Sequence, residues 1–212
     1  MRRGLFGKVL SKRDFIAHGV TRGFLTVFEP WLQRSLAASR AELGDRWPET
    51  FLTAPIWRFW LGANLCDAPA VGALMPSMDG IGRCFPLVLA MVAENGEVIA
   101  SPESGALDSW FAAVETYLLE TLDDGALFET ILQSLADLPP PPLAATRIDG
   151  RGTPLPGIGA PVAPSNPAAS YWSTVGGGGY ESKAFVTVGM PEAGLFATMI
   201  TGRFETSQVF TG

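Results

Sequence analysis

Asp79 stands four residues before Arg83 in the segment MPSMDGIGRCFPL, residues 75 to 87, which also carries Ser77 and the turn formers Gly80 and Gly82. A serine, a carboxylate and a guanidinium this close could centre a hydrolase, with Lys8 or Asp14 nearby as the base. Such a site would lack the histidine that usually activates a serine. His18 is the only histidine in the chain and sits among charged residues, where a solvated side chain is expected. A carboxylate held by arginine has a lowered pKa and makes a poor general acid, so Asp79 with Arg83 points to architecture or recognition before catalysis. No catalytic residue is assigned.

Other chemistries find less support. The soft metal ligands are Cys66, Cys84 and His18, one short of a closed four-ligand site and without clustered spacing, so no metal is expected. The glycine run Gly176 to Gly179 leads into Tyr180-Glu181, without the lysine and Ser/Thr of a phosphate cradle, and reads as a hairpin turn. No cofactor follows. With a net charge of −6 and no basic cluster beyond Arg2-Arg3 and Lys12-Arg13, nucleic acid is not an expected partner. The acidic balance also suggests a partner surface that is neutral or basic. Two cysteines without disulfide density fit a reducing compartment, and Lys8 and Lys12 interrupt any signal-like apolar run, so the expected location is cytoplasmic. The apolar stretch Cys84 to Ala93 is too short for a membrane span and contains Pro86, so no membrane insertion is expected.

The frame for these residues is built from both periodicities. A chain of 212 residues, 47 % hydrophobic and 17 % charged, can support one domain over residues 1–212 with a sizeable core. Residues 3 to 9 read as a short strand and Lys12 to Gly19 as a polar loop. Phe24, Val27, Phe28, Trp31, Leu32 and Leu36 recur at helical spacing, predicting a helix to about Leu43 stopped by Gly44, with Pro30 as a kink or a first-turn residue. A short helix follows from Pro48. Strands are predicted at Pro55–Leu61, Ala70–Met75, Cys84–Val92, Ala169–Val175 and Ser182–Val188, the central ones covered on both faces for want of alternation. Helices are predicted at Ser104–Leu122 and from Ala126 to Leu135, the latter capped near Asp124, while Glu192–Ile200 reads as a short helix or strand. Between them lies a Pro/Gly-rich loop or linker at about residues 138–168. Trp57 and Trp60, three apart on a strand, face opposite sides, so one of them is expected to be exposed. The class is α/β or α+β.

Four blocks, in order, are similar to the signatures of one family. Gly4-Leu5-Phe6-Gly7-Lys8 with Arg13-Asp14-Phe15 resembles its GFFGKLPSRGDF opening. Trp31-Leu32, Leu36-Ala37, Ser39-Arg40, Leu43-Gly44 and Trp47 follow its WL…LA.SR..LG..W helix. Pro55, Trp57-Arg58-Phe59 and then Met75-Pro76-Ser77, Asp79, Gly82-Arg83 and Phe85-Pro86-Leu87 resemble SPLWRF and MPSVDRVGRYFPL. Ser170, Trp172, Gly176, Gly189, Pro191, Phe196 and Gly202 resemble its late SLWW..G and GLP..F..ML.G elements. Ser11-Lys12 departs from the usual SRG, and Tyr171-Trp172 replaces paired tryptophans.

The four blocks together resemble the TagF family of type VI secretion, and the resemblance implies a single TagF-like domain with a three-layer α/β/α sandwich around a central sheet, expected to be mixed. It further implies a cytoplasmic accessory protein that represses secretion assembly after translation by binding the forkhead-associated scaffold protein. No catalytic residues and no cofactor come with the family. The expected contact surface joins the Gly7–Phe15 loop to the Ser77–Arg83 loop. Its candidate partner- or ligand-binding residues are Lys8, Asp14, Trp57, Arg58, Ser77, Asp79 and Arg83, with Trp57 or Trp60 as aromatic anchor. The alternatives are a small-ligand sensor gripping a phosphate or nucleotide at the same turn, and the hydrolase centred on Ser77, Asp79 and Arg83. Oligomeric state is not legible.

Overall fold

In the computed structural model, residues 1–123, 125–144 and 166–204 are described, with the two short strands β6 (Arg147–Ile148) and β7 (Pro154–Leu155). The order begins β1 (Arg2–Gly7), β2 (Ile16–His18), α1 (Arg22–Leu43), α2 (Trp47–Leu52), β3 (Trp57–Leu61), α3 (Ala63–Cys66), β4 (Ala70–Met75) and β5 (Leu87–Val92). It continues α4 (Asp108–Glu120), α5 (Phe128–Asp137), β6, β7, β8 (Ala169–Thr174), β9 (Lys183–Val188) and α6 (Leu195–Thr201).

Seven strands form one sheet in the order β2-β1-β5-β4-β3-β8-β9. Every named pair in it is antiparallel, which corrects the expected mixed sheet. The reason lies in the connections: β1 to β2, β4 to β5 and β8 to β9 join neighbours through loops, and β3 to β4 through the one-turn helix α3, and such a short return reverses the strand, whereas a parallel neighbour needs a longer crossover. The chain is an α/β protein with its helices packed on this sheet.

The two faces of the sheet carry separate apolar clusters. Leu5, Trp60, Val71 and Leu89 pack with Phe111 and Val114 of α4 and with α5. Phe6, Phe59, Val88 and Trp172 pack with Phe24 and Phe28 of α1 and with α2 and α6. Burial from both sides explains why β4 and β5 are apolar without alternation. It also corrects the expectation that one tryptophan of β3 is exposed: Trp57 and Trp60 do point to opposite faces, but helices cover both, leaving 1 % and 3 % of their surfaces accessible.

Local chemistry sets the boundaries. Thr21 caps α1 by accepting from the Phe24 amide at 3.2 Å, and Gly44, at φ 54°, ends it. Pro30 lies inside α1, which continues through it. The strand predicted from Cys84 starts at Leu87, because Cys84 is bridged to Met78 across the preceding loop. β2 is a three-residue edge strand inside the predicted polar loop, and its last residue, exposed His18, faces Leu5 in the register. For α5 the expected cap, Asp124, lies outside the described residues; the residue before the helix is Leu127, which makes no side-chain cap. Glu192–Ile200 resolves as the helix α6, whose Phe196, Met199 and Ile200 are buried. Of the Pro/Gly-rich segment, residues 138–144 and 166–168 are described together with β6 and β7, Ala144 donating to Val98 at 2.8 Å; the rest lies outside the described residues.

Candidate functional site

β1 lies between β2 and β5 in the sheet, so the loop leaving β1 and the loop entering β5 emerge side by side. The register pairs Gly7 with Leu87. Gly7 adopts φ 124° and a side chain there would collide with the Pro86 carbonyl, so the close approach requires glycine. At this junction Lys8 donates to Asp79 at 2.8 Å, and Gly80 donates to the Lys12 carbonyl at 2.9 Å. The Arg83 guanidinium donates through Nη2 to the Arg13 carbonyl. Phe6, Phe15 and Phe85 pack edge to face, with centroids 4.8 to 6.1 Å apart.

Asp79 is the hub. Its side chain is fully buried, and it accepts from Lys8 Nζ, the Ile81 and Arg83 amides, and Arg83 Nε at 2.7 Å. Burial alone would push its carboxyl up, but the hydrogen bond from Lys8 and those from Arg83 and Ile81 outweigh it and hold the carboxyl well below the usual carboxylate range. Asp79 is therefore an acceptor held ionised at neutral pH by four donors, and it closes the turn from Asp79 to Gly82, whose φ is 83°. Around it, Arg40 at the end of α1 donates to the Cys84 carbonyl at 3.2 Å and stacks over Trp47 at 4.3 Å. Burial pushes the Cys84 thiol up, against the pull of Arg40 and Lys8.

The remaining candidates separate. Asp14 is exposed in the first loop. Ser77 is buried at the base of the second loop, where its backbone carbonyl accepts from Phe85 at 3.0 Å and its Oγ has no hydrogen-bond partner. No base meets that hydroxyl, and Asp79 is committed to its four donors, so the hydrolase arrangement has neither an activated nucleophile nor a free base here. Arg58 belongs elsewhere: it grips Glu115 of α4 through Nε and Nη2 at 2.7 and 3.0 Å and lies over Phe111. Trp57 is core, its indole donating to the Met199 carbonyl at 3.1 Å, and cannot be a surface anchor without unfolding. The exposed apolar residues at the loops are instead Phe15 and Ile81, 43 % and 58 % accessible; both lie inside the two expected loops but are not among the candidate residues named for them. A hollow of about 480 Å³ beside Arg58, lined also by Trp60, Glu103, Tyr171 and Val186, shares no residue with the Asp79 cluster. Among the described residues no group of three or more His, Cys, Asp or Glu could hold a metal ion, and no helix is long and apolar enough to cross a membrane.

The segments that meet here are those that carry the family resemblance, and residues 4–138 match the model of the TagF N-terminal domain, type VI secretion system-associated. The chain belongs to the TagF family. Among solved structures, the crystal structure of PA0076 from Pseudomonas aeruginosa PAO1, at 2.05 Å resolution, is 30 % identical to this TagF-family chain. The similarity covers 99 % of each chain with a TM-score of 0.81. No curated protein matches the sequence. The family match places the chain among type VI secretion-associated proteins and spans both the Lys8 and the Asp79 loops.

Proposed function

We propose that this TagF-family chain is a non-enzymatic, cytoplasmic repressor of type VI secretion assembly, acting after translation by binding the forkhead-associated scaffold protein through the face built around Asp79. The observation that carries the reading is the clasp itself: Lys8, Asp79 and Arg83 rigidify two loops that are distant in sequence and leave Phe15, Ile81 and Arg83 at the surface. Preorganised loops with apolar residues beside cations suit a protein interface, because little ordering entropy remains to be lost on binding. Residues 1–212 are read as one functional unit, and the two apolar clusters flanking the sheet support a three-layer α/β/α description.

Calorimetry with the scaffold from the same secretion cluster tests the reading. Saturable binding that Ile81→Asp abolishes in a folded variant is the expected result. No binding to native protein overturns it.

A further inference from the structure

The chain carries a net charge of −6, yet its candidate contact face is cationic. Exposed Arg40 and Arg83 converge through bonds to the Cys84 carbonyl and Asp79, exposed Arg13 is the residue whose carbonyl Arg83 holds, and mostly buried Lys8 is matched by Asp79 beneath them. Asp79 is buried beneath and already matched, so Asp14 is the exposed carboxylate of the Lys8–Phe15 loop. Arg83, with 57 % of its side chain accessible, donates Nε to Asp79 and one Nη2 hydrogen to Arg13, and a guanidinium has further N–H groups to offer. Phe15 and Ile81 flank it as exposed apolar surface.

Resting on the interface reading above, we infer that this face receives an acidic segment of a protein partner that also presents an apolar side chain. This reverses the expectation, drawn from total charge, of a neutral or basic partner surface. The scale of screening decides the point. At physiological salt a charge is felt over about 8 Å, so a short acidic segment meets the local cations, whereas an extended polyanion also meets the acidic remainder of the surface. Ile81 and Phe15 give the segment an apolar contact that a free phosphate cannot use.

The test uses the full chain, uniformly labelled with nitrogen-15, and two capped hexapeptides of equal length with one central phenylalanine, one otherwise Glu/Asp and one otherwise Lys. The acidic peptide shifts amides in Lys8–Phe15 and Ser77–Phe85 saturably, and weakens several-fold when salt is raised from about 0.05 to 0.3 M. The lysine peptide leaves them in place. Arg13→Glu, at an exposed side chain, and Arg83→Gln each reduce the affinity about tenfold while retaining a dispersed spectrum. Shifts that are absent, lie elsewhere or are equal for both peptides overturn the inference, as do phosphatidylserine vesicles or single-stranded RNA engaging the same amides more tightly than the peptide. Scaffold binding is scored separately. A scaffold bound with salt-independent affinity, indifferent to Arg13→Glu, preserves the repressor reading and sinks this one; peptide binding at the face without scaffold binding does the reverse.

Discussion

Lys8 Nζ and Asp79 Oδ2 are 2.8 Å apart although 71 positions separate them in the chain. The pair joins the first loop of the fold to the loop that enters the interior strand β5, and with Arg83 it makes the two loops a single body.

The acid response of stability isolates Asp79. Its folded carboxyl titrates below the unfolded one, so its contribution is full above the unfolded pKa and is lost as pH falls from the ordinary carboxylate range toward the lower folded value. Between about pH 5 and pH 3 the melting temperature of the native protein therefore drops more steeply than that of Asp79→Asn, which has no charge to lose. Parallel curves in calorimetric scans count against the clasp.

Arg58 and Glu115 tie β3 to α4 with a two-pronged bond, and both side chains are mostly buried. Glu115→Ala leaves a largely desolvated guanidinium over Phe111, so it costs on the order of 2–3 kcal/mol, between exposed and fully buried pairs. Arg58→Met with Glu115→Leu recovers much of that loss in urea denaturation. If the proposed scaffold binding holds, the affinity of the folded variants stays within about twofold, since neither residue lies at the Asp79 face.

Trp57→Ala removes a buried ring and costs about 3–5 kcal/mol. Trp57→Phe retains most of the packing, forfeits the bond to the Met199 carbonyl and costs nearer 1 kcal/mol. A folded Trp57→Phe protein that has lost scaffold binding would return this residue to the interface.

Two glycines of the site separate steric from conformational requirements. Gly82 has a positive φ but open space where a Cβ would project, so Gly82→Ala costs about 1–2 kcal/mol. Gly7→Ala meets the Pro86 carbonyl as well and costs beyond about 4 kcal/mol, or prevents folding. Equal melting temperatures for the two would contradict the close approach of β1 to the Pro86 turn.

Much of this frame is legible in one dimension because the signals are local. α1 declares itself by apolar spacing and by Gly44 at its end, and β4 and β5 by unbroken apolar runs between turns. Asp79 with Arg83 is legible as a pair because the two are four apart in a glycine-containing turn. What spacing does not encode is which segments become neighbours. The direction of the strands, the shielding of both tryptophans of β3 and the separation of Arg58 from the Asp79 cluster all depend on the order of strands and on helices covering both faces. Ile81 and Phe15 fall inside the two expected loops, but their exposure is not legible, since an apolar residue is by default assigned to the core.

The placement of β1 beside β5 also has a consequence for synthesis on the ribosome. β1 is made first, but its partner β5 begins at Leu87, and Asp79 and Arg83 must also have emerged before Lys8 and the Arg13 carbonyl find their partners. Contacts so distant in sequence form late, after loop closure has been overcome. A nascent or truncated chain lacking the β5 segment therefore has no assembled Asp79 face, and under the proposed function recognition of the partner would double as a check that the sheet has closed.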